Sequence, residues 1–149
     1  MSALRATAHL ARRFVTSLSR REPTAADTEW VHSQLLASEA ALWQRMSVQD
    51  RRHAILVARR FVALIGDPAR EQVAGALLHD VGKQASGLGT AARVIATLVG
   101  PRGERFRSYH DHEAIGARMA AEAGADPVTV ELIQGRGAEA ERLRAADHV

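Results

Sequence analysis

The sequence predicts an all-α fold, a single compact helical bundle with an extra N-terminal helix. Three observations carry that expectation. The chain of 149 residues is 46% hydrophobic but only 4% aromatic, with 4 Pro, and its apolar share is mostly Ala, Leu and Val, a vocabulary that favours helices. Helix start and stop signals recur at short intervals from end to end. Apolar/polar alternation never extends beyond a few residues, and there is no internal repeat. A chain of this length is expected to make one domain and to bury roughly 70% of its unfolded surface.

Residues 1–22 form a basic amphipathic stretch. Leu4, Ala8, Ala11, Val15 and Leu18 recur at helical spacing, and Arg5, Arg12, Arg13, Arg20 and Arg21 fill the other face. No acid precedes Glu22, as in a transit peptide or a membrane-surface helix. The expectation adopted is a helix that docks on the domain through Phe14, Val15 and Leu18 and stays in the mature chain. Pro23 ends it, and the domain proper is expected over 23–149.

Asp27 is expected to cap a helix through Leu36, and Ser38 one carrying Leu42, Trp43 and Met46. Ser47-Val48-Gln49-Asp50 has capping-box spacing and opens a long apolar helix through Ile65, with Gly66 as its stop. Asp67-Pro68 then offers an N-cap and first position for a helix to about Val81. Gly87, Gly89 and Gly100-Pro101-Arg102-Gly103 frame a helix at 90–99. Another covers about 111–123, stopped by Gly124. Asp126-Pro127 opens the next, and Gly135-Arg136-Gly137 separates it from a last helix.

Composition also excludes chemistry. With Cys at 0 there is no disulfide, thiolate metal site or cysteine nucleophile. No apolar run approaches a membrane span, and a cytoplasmic location is expected. The formal charge of +3 is mild, and 2 Trp, 1 Tyr and 3 Phe are few for base stacking, so no nucleic-acid partner is expected. The Arg- and Ala-rich vocabulary suggests a GC-rich bacterial genome. Gly87-Leu88-Gly89 follows no strand and precedes no Gly-Lys-Ser/Thr, which makes it a connector rather than a phosphate loop.

The informative string is His79-Asp80-Val81-Gly82-Lys83, at the end of an apolar helix. Neighbours on a helix diverge by about 100°, so His79 and Asp80 straddle one edge and can both reach a metal beside it. Gly75 and Ala76, one turn earlier, leave room for an ion or another helix. Read alone, the pair is better explained as a buried His79 held by an Asp80 hydrogen bond. Three features point further: His53 at the mixed rim of the preceding long helix, with Leu56, Val57, Arg60 and Leu64; Asp147 after a small apolar run; and Lys83, the sole lysine, directly after the pair. Its compact ammonium is not equivalent to a guanidinium.

The order His53, His79-Asp80, Asp147 resembles the HD-domain superfamily of metal-dependent phosphohydrolases. The resemblance covers about residues 48–149, and Leu77-Leu78-His79-Asp80-Val81-Gly82-Lys83 is its most specific part. The segment from Trp30 through Asp50-Arg51-Arg52-His53 is similar to the helical entry of small actinobacterial members. The resemblance implies an HD-like bundle in which His53, His79, Asp80 and Asp147 bind a divalent metal. Mixed nitrogen and oxygen ligands suit Mn, Fe, Ni, Co, Mg or Zn. It further implies hydrolysis of a nucleotide or another phosphate ester, with Asp80 and Lys83 as catalytic residues, Lys83 holding a phosphate oxygen. Arg102, Arg105 and Arg107 are expected either to add charge at the cleft mouth or to form a solvated basic loop.

The pattern departs from some relatives. His110-Asp111-His112 is the candidate for a second metal or for substrate; residues i and i+2 on a helix point about 200° apart, so one of the two histidines serves, and His112 is the better placed. His112-Glu113-Ala114-Ile115-Gly116 resembles the His-x-x-x-Gly of the cyclic-dinucleotide branch. Gly135-Arg136-Gly137 stands where that branch has a His-His pair, and its Gly-Tyr-Pro element is absent, which argues against cyclic di-GMP hydrolysis. The water-positioning acid that one-metal nucleotidases carry soon after His-Asp is also missing, with Asp50, Asp111 and Glu113 as the substitutes. The alternative function is a catalytically impaired module that binds metal or nucleotide, or regulates a partner.

Overall fold

Local capping chemistry explains where most of the helices begin. A computed structural model describes residues 20–86 and 111–149, and there seven α-helices and one 3₁₀ helix form with no strand. The helices are α1 (Ala25–Gln34), α2 (Ala37–Gln44), α3 (Val48–Ile65) and α4 (Arg70–Leu78), then the 3₁₀ helix Val81–Ser86, and α5 (His112–Glu122), α6 (Pro127–Ile133) and α7 (Ala140–Asp147). The N-terminal stretch through residue 19 and the helix expected at 90–99 lie outside the described residues. No described helix is long and apolar enough to cross a membrane.

Ser47 caps α3 as expected, its Oγ accepting from the Asp50 amide at 3.1 Å, but Asp50 closes the turn on the Ser47 hydroxyl, accepting from it at 2.8 Å, rather than on the Ser47 amide as a capping box would. Asp126 likewise caps α6, accepting from the Val128 amide at 2.8 Å with Pro127 in the first turn. Three starts differ from expectation. Thr24, not Asp27, caps α1; its hydroxyl accepts from the Asp27 amide at 3.1 Å, and Asp27 answers from the third helical position. Leu36, not Ser38, occupies the N-cap of α2, because Glu39 reaches back to the Leu36 amide at 2.8 Å. α4 starts after Ala69 rather than at Asp67-Pro68, since Gln72 Oε1 accepts from the Ala69 amide at 2.8 Å.

Trp43, Phe61, Leu77 and Leu78 are the largest side chains sealed in the core, which α2, α3 and α4 share with Val31 of α1 and with Ala117, Leu132, Ile133 and Leu143 from α5, α6 and α7. Buried faces drive this assembly at roughly 25 cal/mol per Å² of apolar surface. On α3 the buried set is Ala54, Ile55, Val57, Ala58 and Phe61. Leu56 and Leu64 point outward at 48% and 53% exposure, so the stripe expected to run with His53 divides between core and surface. Glu39 is fully buried and pairs with Arg70 at 2.9 Å, linking α2 to α4. Such a pair stabilises weakly as a whole, but removing one partner strands a buried charge.

Two glycine contacts set the site end of the bundle. At Gly75 a Cβ would lie 2.8 Å from Leu132 Cβ, so the small edge of α4 admits another helix, α6. At Gly82 a Cβ would fall on the His112 carbonyl and 2.6 Å from the Gly116 amide nitrogen. The 3₁₀ helix and α5 therefore meet backbone to backbone. We predict that Gly82→Ala destabilises the chain by at least about 2 kcal/mol in urea denaturation, since the methyl can enter only by pushing α5 away. An unchanged midpoint would show that this contact is absent in solution.

Candidate metal centre

α4 ends at Leu78 rather than near Val81, and the chain tightens into the 3₁₀ helix just after the His79-Asp80 pair. Residues three apart eclipse in 3₁₀ winding. The Lys83 amide donates to the Asp80 carbonyl at 3.0 Å, and Lys83 Nζ donates to Asp80 Oδ2 at 2.6 Å. The expected neighbourhood of Lys83 and Asp80 thus forms through a tighter helix. The ammonium holds the carboxylate rather than standing apart from it.

His79 is oriented from behind. Its Nδ1 lies 2.7 Å from the Ala76 carbonyl, an acceptor only, so Nδ1 carries a proton. Nε2 then faces inward, buried and without a hydrogen-bond partner. Asp80 Oδ2 is 3.4 Å away and Asp147 Oδ1 is 3.7 Å away, both too far for good hydrogen bonds. From α3, His53 Nε2 meets Asp147 Oδ1 at 2.7 Å, and the two imidazole centroids are 5.9 Å apart.

Ligand atoms of His53, His79 and Asp147 all lie within 4.8 Å of one another, so this group can hold a metal ion. The donors fit one: a tautomer set by a backbone carbonyl, a buried nitrogen with nothing to bond, and a carboxylate oxygen between two imidazoles. Asp80, expected as the fourth ligand, stands beside this trio. Its Oδ2 is held by Lys83, and its Oδ1 lies 3.6 Å from His112 Nε2.

The electrostatics agree with a cation-seeking site. Burial pulls the His79 pKa down, but the Asp80 and Asp147 carboxylates outweigh it and carry it up to about 9. Burial pushes Asp80 up, and His79 and Lys83 overcome that, leaving it lowered. The hydrogen bond from His53, and then the His79 imidazole nearby, hold Asp147 well below the usual carboxylate range. A divalent ion would take the place of the His79 proton.

α7 packs on α3, and Arg60 of α3 donates to the Ala146 carbonyl at 3.4 Å, steadying the turn that carries Asp147. A cleft opens beside the trio, lined by His79, Asp80, His112, Glu113, Arg144 and Asp147 over an apolar floor that includes Leu132 and Leu143. Of the three substitute acids, Asp50 is taken by the α3 cap, Asp111 is exposed at the start of α5, and Glu113 lines the cleft. His110, Arg102, Arg105 and Arg107 lie outside the described residues. Arg144 was not singled out by sequence reasoning, though its place three residues before Asp147 on one helix was a usable signal.

No family model, curated protein or solved structure matches this chain. The functional reading therefore stands on the residues themselves.

In the metal-free protein His79 links stability to pH. Its folded pKa lies above the unfolded value of 6.5, so its contribution is complete below that value and is lost as pH rises through about 9. Asp147 acts oppositely: its folded pKa is depressed, so its contribution is present above the unfolded carboxylate value and lost as pH falls. We predict that chelator-treated protein loses melting temperature between pH 6.5 and 9 and that His79→Gln flattens this decline. An equally steep decline in the variant would assign it to another group.

Proposed function

We propose that this chain is a metal-dependent phosphohydrolase of the HD-domain type, acting in the cytoplasm on a nucleotide or another phosphate ester. The observation that carries the reading is the buried, unpartnered Nε2 of His79, turned toward Asp147 and its His53 partner. Its support at Nδ1 by the Ala76 carbonyl matches how metal-binding histidines are commonly oriented. His53, His79 and Asp147 would hold the ion, with Asp80 beside them as the expected fourth ligand. When bound, Mn, Fe, Ni, Co, Mg or Zn supplies Lewis acidity and lowers the pKa of a water.

The remaining work falls to the chain. Asp80, which lines the cleft, holds the Lys83 ammonium at 2.6 Å, and an ammonium that donates to a carboxylate can also donate to a phosphate oxygen. Glu113 brings the carboxylate that can orient a water or accept its proton. His112, against Asp80, can donate to substrate. The second reading, a metal- or nucleotide-binding module without catalysis, is favoured by one observation: Lys83 is committed to Asp80 at 2.6 Å.

We predict about one divalent transition metal per chain by elemental analysis of untagged protein, falling to near zero in His79→Ala. Lys83→Met should retain the metal and lose roughly 10²–10³ in rate on a panel of nucleoside mono-, di- and triphosphates, the effect of removing one stabilising charge-assisted contact. Metal retention by His79→Ala would remove the proposed centre. A metal-loaded wild type that hydrolyses nothing on the panel would leave the binding module.

A further inference from the structure

We propose that Arg144 is the anion-binding arm of the cleft, holding the phosphate dianion of the substrate; this rests on the phosphohydrolase reading and names a substrate-binding residue within it. Arg144 and Asp147 are three apart on α7, so they rise from one face, and both line the cleft with His79 and Asp80. The guanidinium is already tethered. Its Nη2 donates to the Gly135 carbonyl at 2.7 Å, and its Nη1 donates to Glu141 Oε1 at 2.5 Å.

A guanidinium has five N–H donors, and these two contacts use two of them. The side chain is 49% exposed, so without tethers it would lose considerable rotamer freedom on binding; held in place, it loses less. Its planar fork suits two oxygens of one phosphate, which a point-like ammonium cannot match. Leu132 and Leu143 line the same cleft and give it an apolar wall.

Gly135 keeps the space open. It has φ +70°, and a Cβ there would lie 3.4 Å from Arg144 Nη2 and 3.5 Å from Glu113 Oε2. A cation and a carboxylate thus border the same small volume at the cleft mouth. Glu113 repels an incoming anion, and Glu141 partly neutralises the arginine. Phosphate is therefore held well only when the charge of a metal at the His53, His79 and Asp147 group offsets these carboxylates.

The test is calorimetric binding of inorganic phosphate to the metal-loaded chain, with metal content and circular dichroism measured in parallel. R144Q should weaken phosphate binding by about tenfold or more, as expected for a charge-assisted contact, at unchanged metal content. E113Q should tighten it. If R144Q perturbs folding, the wild type decides: the Arg144 Nε–H resonance, assigned by its absence in R144K, should shift with phosphate along the calorimetric binding curve. Phosphate affinity unchanged in a folded R144Q, or a resonance that does not move, overturns the proposal. If K83M alone then weakens binding, the phosphohydrolase reading survives without Arg144. A fully metal-loaded wild type that binds no phosphate overturns both.

Discussion

At Gly82 two stretches of backbone approach so closely that a side chain has no room, and across the contact a Cβ on Gly116 would lie 3.0 Å from the Gly82 amide nitrogen. The candidate site depends on that approach. It fastens the 3₁₀ helix to α5 and so places His112 and Glu113 opposite the end of α4. It also accompanies the tight winding that brings Lys83 back onto Asp80. Where an ordinary core contact tolerates small volume changes, this one involves main chain on both sides, and the main chain cannot turn aside.

A second constraint ties the far end of the chain to its middle. Asp147 has His53 of α3 on one side and His79, just past the end of α4, on the other. Nearby lie Asp80, nearly sealed from solvent, and Lys83. The carboxylates outweigh the burial of His79 and draw its imidazole toward the charged form. This is the field that a divalent cation would exploit. The same group thus serves as a fold contact between α3, α4 and α7 and as a donor set, and stability and metal affinity become linked.

Much of the fold was legible because helix caps are local chemistry. Ser47 with Asp50, Asp126 with Pro127, and Gly66 with φ +93° each act within one turn of chain. The misplaced starts have the same origin. Thr24, Leu36 and Ala69 are each joined to the residue three ahead: Glu39 and Gln72 accept from the Leu36 and Ala69 amides, and Asp27 accepts from the Thr24 hydroxyl. Reading Asp27 as the cap rather than as the answering residue moved that boundary by one turn. The exposed Leu56 and Leu64 show a different limit, since apolar identity does not say which side of a helix finds a neighbour.

The sequence by itself determined the helical class and several boundaries, because periodicity and caps are written in neighbouring positions, and it pointed to His53, His79, Asp80 and Asp147 as candidates through a distinctive string and its resemblance. Only the tertiary structure decided which of those residues share a centre, that Asp80 turns to Lys83 and His112, and that Glu113 and Arg144 border the cleft. Those outcomes depend on helices distant in sequence packing at particular glycines, and on which carboxylate oxygen each cation reaches first. Such contacts are set in space, between residues as far apart as His53 and Asp147, and no local pattern encodes them.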